Sequence, residues 1–376
     1  MNPRSRVRVN GQCSDFFDLE RGTRQGDALW PALFALSIEP LAELIRSNPL
    51  IQGIRDESGN QHKIALYADD ILLFIENPVH SIPALLQSLN EYGLVSGYKV
   101  NPSKSEAMMV SGTWPSQLDD IVSFRRSKQG FKYLGIVLTP QVTQLYQANY
   151  KKTFGIFKNE LARWDVLPLS LLGRVEAVKM NLLPRILFLF QSLPVGIPTS
   201  TFNMLDKLIS KFIWQNKRPR VRLKTLTLGK DKGGLGLPDI QLYFWAAQLR
   251  PLFYWFRDDE APSWTQIESD ILNTEDLSHI PYCFNIKTMT KCTNNPIITH
   301  SLRIWDKINR FLGLGTSLSP LTPIGSNPSL DFVQKDLGFK IWGQKNINKI
   351  GDLPSIFPEM WPLYSKNSQY IGKYTR

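Results

Sequence analysis

Apolar residues recur with helical spacing in five stretches of the chain and cluster as strand-like runs in three. From Pro31 to Arg46, Leu33, Phe34, Leu36, Ile38, Leu41 and Leu44 fall near a 3.6-residue repeat. Pro31 suits a first turn, so the spacing predicts a helix there. Ser81 to Tyr92 has the same pattern, with Ser81 as the expected N-cap and Gly93 or Gly97 as the stop. Residues 7–18 read as a short strand pair turning near Asn10-Gly11, a dipeptide that tolerates the left-handed backbone of a tight hairpin. Lys63 to Glu76 is a run of β-favouring residues broken in its middle by Tyr67-Ala68-Asp69-Asp70, and Phe131 to Leu138 is a third strand candidate.

After Pro140 the pattern turns helical. Phe154, Phe157, Leu161 and Trp164 share one face, with Lys151, Lys152 and Lys158 towards the other. Ser170 to Phe190 is a second helical stretch, with Pro184 as the expected kink or break, and Thr201 to Trp214 is a third. Beyond about residue 257 prolines and polar residues become frequent and the periodicity weakens. The chain has no internal repeat and no long low-complexity tract.

Composition narrows the classes. The 376 residues are 43% hydrophobic and 20% charged, which is globular and long enough for about two or three domains. The three cysteines, Cys13, Cys283 and Cys292, are too few and too scattered for a disulfide framework or a cysteine-based zinc module, so a reducing compartment is expected. The first residues lack the apolar core of a secretory signal. The most apolar run, Ile186 to Pro198, is interrupted by Gln191 and Pro194 and falls short of the roughly 20 residues of a membrane span. A soluble intracellular protein is the expectation.

Charge is uneven. The net of +11 comes almost wholly from residues 141–250, with 17 basic and 6 acidic side chains, whereas residues 1–140 carry 14 and 15. Its densest part is Lys217, Arg218, Arg220, Arg222, Lys224, Lys230 and Lys232, opposed only by Asp231, with Phe212 and Trp214 at its edge. Such a concentration suits a polyanion such as a nucleic-acid backbone, with stacking from the rings. A solvated lysine-rich loop between two helices is the plain alternative.

Asp69-Asp70 is the sharpest candidate for chemistry. Two adjacent carboxylates at the tip of an otherwise apolar hairpin repel one another, and a bound divalent cation offsets that repulsion. Paired metals would in turn stabilise the attacking and leaving oxygens of phosphoryl transfer. An ordinary Asp-Asp β-turn accounts for the dipeptide taken alone.

The neighbouring blocks change its weight. Arg21-Gly22-Thr23-Arg24-Gln25-Gly26-Asp27 precedes the Pro31 helix, and Tyr67-Ala68-Asp69-Asp70 sits in the hairpin. Ser96 to Glu106, including Asn101-Pro102-Ser103-Lys104, follows, and then Phe131-Lys132-Tyr133-Leu134-Gly135-Ile136. In this order and spacing the four blocks resemble the later palm motifs of a reverse transcriptase, of the type carried by LINE-type (non-LTR) retrotransposons. The resemblance implies RNA-directed DNA polymerase activity with Mg²⁺ (or Mn²⁺), an RNA template, a DNA primer and deoxynucleotides. It assigns metal binding to Asp69 and Asp70, within a motif completed by Tyr67 and Ala68. Arg24, Gln25 and Gly26 fall in the turn that lies against template and incoming nucleotide. Lys104, with Asn101, matches the block whose lysine assists the pyrophosphate leaving group. Tyr133, Leu134 and Gly135 match the hairpin that grips the primer end. A surface lysine for Lys104 and core packing for Tyr133 and Leu134 are the alternatives that those residues would suggest singly.

The resemblance also implies a fold: an α+β reverse-transcriptase palm over 1–140, partial and without fingers, with a small antiparallel sheet around the Asp69-Asp70 hairpin. A basic helical thumb and connection would cover 141–257, with a region of unassigned role over 258–376. Residues 141–250, including Gly233-Gly234-Leu235-Gly236-Leu237-Pro238-Asp239, resemble the thumb region of the same elements. That glycine-rich stretch lacks the Gly-Lys-Ser/Thr of a phosphate loop. Three departures stand out. The family's first palm motif, with another metal-ligating aspartate, belongs some tens of residues before Arg21. Only 20 residues precede Arg21, and Asp15 and Asp18 are too close to it. Asp27-Ala28-Leu29-Trp30-Pro31 puts a large ring at Trp30 where a small hydroxyl is usual. His279, Cys283, Cys292 and His300 do not have zinc-knuckle spacing. The expectation is a truncated polymerase, working on nuclear DNA by lineage, inactive alone and binding nucleic acid through its basic segment.

Overall fold

Most helices form where the apolar repeats lie, while the strands are shorter than their apolar runs. The computed structural model describes residues 4–19, 26, 28–56, 58–257, 262–272, 277–282 and 295–313, with 293, 322, 324, 347 and 349–355. The chain divides into two compact units, one of residues 1–107 and 113–125, the other of residues 108–112 and 126–376. The architecture mixes α-helices with short antiparallel strands. Among the described residues the strands pair only two by two, where a continuous small sheet was expected. None of these strands exceeds four residues, so each hairpin offers little edge for a third strand.

In the first unit, β1 (Arg4–Ser5) pairs with β4 (Phe17–Asp18), and β2 (Arg8–Val9) with β3 (Gln12–Cys13). Asn10 and Gly11 join β2 to β3 with φ of 49° and 86°, the two positive values of a type I′ turn. Helix α1 (Trp30–Ser47) has Pro31 in its first turn and buries Ile38, Leu41, Ala42 and Ile45. Its C-terminal carbonyls are met from outside: Lys63 Nζ donates to Arg46 O and Asn48 O, each at 2.8 Å. Burial pushes the Lys63 ammonium below its ordinary pKa.

Strands β5 (Ile54–Arg55) and β6 (Gln61–His62) form a small pair ahead of the central hairpin. That hairpin is β7 (Ile64–Tyr67) and β8 (Asp70–Leu73), in register Ile64↔Leu73 through Tyr67↔Asp70. Helix α2 (Pro78–Ser96) begins three residues before the expected cap, because Pro78 supplies a first turn with φ already set. Ser81 is therefore not its N-cap; its buried Oγ accepts from Gln52 N at 3.0 Å. Gly97 ends the helix at φ 72°, its N–H donating to Gly93 O. Ile38, Leu41, Ile45 and Ile51 pack with Leu85 and Leu89, and Ile64, Leu66, Ile71 and Leu73 of the hairpin lie against them. Each fully buried side chain of this core contributes roughly 1.5–3 kcal/mol by leaving water, and the half-buried hairpin residues contribute less. Strands β9 (Glu106–Ala107) and β10 (Arg125–Arg126) follow, with Arg125 N donating to Ser105 O at 3.1 Å.

The second unit starts with the hairpin of β11 (Phe131–Tyr133) and β12 (Ile136–Leu138). A wide π-helical turn, Tyr146–Lys151, leads into α3 (Lys152–Asp165), which buries Phe154, Phe157 and Leu161 as their spacing predicts. The Ser170–Phe190 stretch is α4 (Leu171–Ala177), a π-helical turn (Val178–Leu182) and α5 (Leu183–Ser192). The expected break at Pro184 thus takes the form of a widened turn just before the residue that lacks an N–H. Helices α6 (Thr199–Ile213), α7 (Leu223–Leu226), α8 (Ile240–Tyr254), α9 (Ser263–Leu272) and α10 (Pro296–Leu312) follow among the described residues. One core joins Tyr150, Phe157, Ile186, Phe190, Phe212 and Phe244. Among the described residues no helix is long and apolar enough to cross a membrane.

Candidate active site

The Asp69-Asp70 pair is presented by a two-residue turn. Tyr67 and Asp70 are the last paired residues of the β7–β8 hairpin, leaving Ala68 and Asp69 to reverse the chain. Ala68 is held at φ 50°, a conformation that costs an L-residue with a Cβ about 1–2 kcal/mol. Packing of Ile64, Leu66, Ile71 and Leu73 beneath the turn offsets that cost. Both aspartates are exposed, and Tyr67 beside them is 63% exposed.

Tyr98 stands near this turn, and sequence reading did not single it out. Burial, then the negative charge of Asp69, raises its phenol pKa, with Tyr92 adding a smaller push. Its ring lies 5.9 Å from that of Tyr92, whose hydroxyl donates to Ser37 O at 2.6 Å. The αL residue Gly97 aims the chain so that Tyr98 O comes within 2.7 Å of where a Cβ on Gly93 would sit. The two glycines were the available signal, and only their role as helix stop was read from them.

The Asn101–Ser105 segment folds into a compact turn of the same unit. Asn101 O accepts from Lys104 N at 3.1 Å and Ser105 N at 3.0 Å, and Asn101 Oδ1 accepts from Ser103 Oγ at 2.7 Å. Asn101 and Lys104 are exposed, and among the described residues no carboxylate pairs with the Lys104 ammonium. Gly26 is exposed with φ 93°, a value open to glycine; Arg24 and Gln25 lie outside the described residues.

Tyr133, Leu134 and Gly135 belong to the second unit. Leu134 and Gly135 turn the β11–β12 hairpin with φ of 45° and 86°. A Cβ on Gly135 would come within 3.3 Å of the Phe188 ring, so the turn lies directly on α5. Asn149 holds the other end: buried in the π-helical turn, its Oδ1 accepts from Val137 N at 2.8 Å and its Nδ2 donates to Val137 O at 2.9 Å. The carboxamide replaces a missing strand partner.

Lys217, Arg218, Arg220, Arg222 and Lys224 are all exposed between α6 and α8, and among the described residues none is ion-paired. The loop is fixed at both ends. At its start Gln215 and Asn216 take positive φ of 51° and 58°, and Asn216 Nδ2 donates to Asp165 Oδ2 at 2.8 Å. Asp165 Oδ1 accepts from Arg174 Nη1 at 2.8 Å. Arg174 is only 1% exposed and also donates to Phe212 O, Asp165 O, Leu167 O and Leu169 O, with its guanidinium 4.8 Å from the Phe212 ring centre. At the far end Leu226 O accepts from Leu235 N and Leu237 N, and Leu228 O from Gly236 N. A Cβ on Gly234 would sit 2.1 Å from Leu228 O. The glycine-rich stretch closes a loop with its amides, and does not leave them free for phosphate.

Among the described residues no three His, Cys, Asp or Glu side chains gather as a metal cluster. Two hard carboxylates remain at the Ala68-Asp69 turn, a donor set that suits Mg²⁺ when substrate phosphates and water complete its shell. Of the proposed site residues, the structure places Tyr67, Ala68, Asp69, Asp70, Asn101 and Lys104 in the first unit. Tyr133–Gly135 and the basic loop are in the second.

Comparison with known proteins agrees with these features. Residues 2–138 match the reverse transcriptase (RNA-dependent DNA polymerase) family. Over 257 residues, 64% of this chain, it is 28% identical to the retrovirus-related Pol polyprotein from type-2 retrotransposable element R2DM of Drosophila melanogaster, covering 22% of that protein. It is 24% identical over 70% of its length to the transposon TX1 uncharacterized 149 kDa protein of Xenopus laevis, covering 20% of it. It is 26% identical over 59% of its length to the Pol polyprotein of the type-1 element R2 of Popillia japonica, covering 32%. The chain therefore spans about a fifth to a third of the curated relatives it matches.

Proposed function

We propose that this chain is part of an RNA-directed DNA polymerase, with Asp69 and Asp70 as its metal-binding carboxylates, because residues 2–138 match the reverse transcriptase family and the chain is similar to retrotransposon Pol polyproteins. The observation that carries the reading is the strained turn: Ala68 at φ 50° lifts two exposed carboxylates clear of a hairpin seated on a helical core. A divalent ion held by Asp69 and Asp70 would supply the Lewis acid for phosphate oxygens. The chain's own groups have the remaining tasks. Tyr67 and Tyr98 flank the turn. Lys104, unpaired among the described residues, donates a proton or a charge to a leaving pyrophosphate. Arg24, Gln25 and Gly26 border template and nucleotide, and Asn101 shapes the lysine turn. In the second unit Tyr133, Leu134 and Gly135 bear on the primer end, while Lys217, Arg218, Arg220, Arg222 and Lys224 meet strand phosphates. Residues 1–140 supply the palm part, 141–257 the basic thumb and connection. The substrates are then an RNA template, a DNA primer and deoxynucleotides.

The test is primer extension on an RNA template with Mg²⁺ or Mn²⁺. Any nucleotide addition is expected to vanish in Asp69→Asn/Asp70→Asn while template binding persists; addition that survives the double change overturns the assignment. A second reading, strand binding without chemistry, is favoured by one observation: among the described residues no third ligand joins the two aspartates. A wild-type chain that binds template in low salt and never extends a primer selects it.

A further inference from the structure

Helix α10 has a face that the polymerase roles leave unused. His300, Arg303, Ile304 and Lys307 stand at i, i+3, i+4 and i+7 and so share that face. They line an open cleft of about 170 Å³, closed opposite by Gly196, Thr199, Gln241 and Trp245. Arg303 and Lys307 are exposed and have no carboxylate partner among the described residues, whereas Arg310 on the same helix is paired with Asp306.

Hydrogen-bond accounting fixes the state of His300. Gln248 is buried, and its Nε2 donates to Phe190 O and Leu193 O, leaving Oε1 as its acceptor. His300 Nε2 lies 2.8 Å from that oxygen and must therefore carry the ring proton. Nδ1 is then the bare nitrogen. It faces Gly196, at 3.8 Å from where a Cβ there would sit. Burial, and then the charges of Lys307 and Arg303, push the imidazole pKa down to about 4, so it remains a neutral acceptor at neutral pH. One opening thus gathers two unneutralised cations, a bare acceptor nitrogen, the Thr199 hydroxyl and the Trp245 ring.

We propose that this cleft binds a single nucleotide unit, its phosphate held by Arg303 and Lys307 and a base or sugar donor received by His300 Nδ1 beside Trp245. Paired cations match phosphate oxygens, and an indole offers a stacking surface to any base. The unit is either a free nucleotide or one residue of a bound strand; only the second source rests on the polymerase reading above.

Calorimetry on the full chain tests it, with inorganic phosphate, AMP and a short oligo(dA) as probes. AMP is expected to bind more tightly than phosphate, and about tenfold or more weakly in Arg303→Gln/Lys307→Gln. Affinity unchanged in that variant, or no AMP binding by the wild type, overturns the proposal. Both side chains are exposed, and an unchanged far-UV spectrum and unfolding midpoint verify that the variant folds. Oligo(dA) that displaces AMP identifies a strand as the source, and oligo(dA) that leaves AMP bound identifies a free nucleotide. AMP bound with no oligonucleotide or template bound at any salt supports the cleft and sinks the polymerase reading. Template bound with no AMP overturns the cleft and leaves the polymerase reading standing.

Discussion

At the scale of single residues, buried polar side chains set what the exposed ones can do. His300 is the clearest case for measurement. Its imidazole has a pKa of about 4 in the folded chain, below the ordinary value near 6.5, so between those values the unfolded chain binds the extra proton. Stability supplied by the neutral ring is complete above about pH 6.5 and is lost as pH falls towards 4. The loss is on the order of 3 kcal/mol. Denaturant unfolding of wild type against His300→Gln is expected to show a difference in ΔG that varies across this window and is flat above it. A constant difference from pH 4 to 7 would contradict the burial of a neutral ring. The aspartate pair belongs to the same scale and was legible in the sequence, because two carboxylates between apolar runs are conspicuous. Tyr98, Asn149, Arg174 and His300 were not, because each acts on backbone atoms or side chains brought together only by folding.

At the scale of elements, Arg174 ties α3, α4 and α6 by donating to Asp165, Phe212 O and the Leu167 and Leu169 carbonyls. Arg174→Met keeps the apolar length and strands those acceptors, leaving the Asp165 carboxylate without its buried partner. A loss of about 3–5 kcal/mol in the second unit's stability is expected, read as a lower urea midpoint at unchanged m. A loss under about 1 kcal/mol would mean that water satisfies these groups as well. The helices themselves were readable from their apolar repeats. Their ends were less so: α2 starts at Pro78 because a fixed φ outweighs a serine cap, and Ser81 is drawn into the core by Gln52 N. The widened turns at Tyr146–Lys151 and Val178–Leu182 were not foreseen as such. Periodicity averages over a turn and cannot register one extra residue, whereas Pro184 gave the position of the second. The strands are shorter than their apolar runs, and among the described residues each pairs with a single neighbour.

At the scale of the whole molecule, the charge map and the family match fall on different parts of the chain, residues 141–250 and 2–138. If the basic loop meets strand phosphates, template affinity falls linearly with salt on logarithmic axes. Replacing Arg218, Arg220 and Lys224 with Gln is then expected to flatten that slope by about one per lost contact. An unaltered slope in a filter-binding series would remove the loop from the interface. The anchoring of this loop has one more consequence. Its two ends are secured separately, by Asp165 with Asn216 and by the Leu226 and Leu228 carbonyls with the glycine-rich stretch. The helices on either side, α6 and α8, bury Phe202, Phe212 and Phe244 in one core. A break in the backbone within Lys217–Arg222, outside the core contact of Leu223, is thus expected to leave the unit held together, checked by co-elution of the two pieces in gel filtration. Two polypeptides split at this point should find each other and reassemble, giving a two-piece form in which either half can be labelled or exchanged on its own.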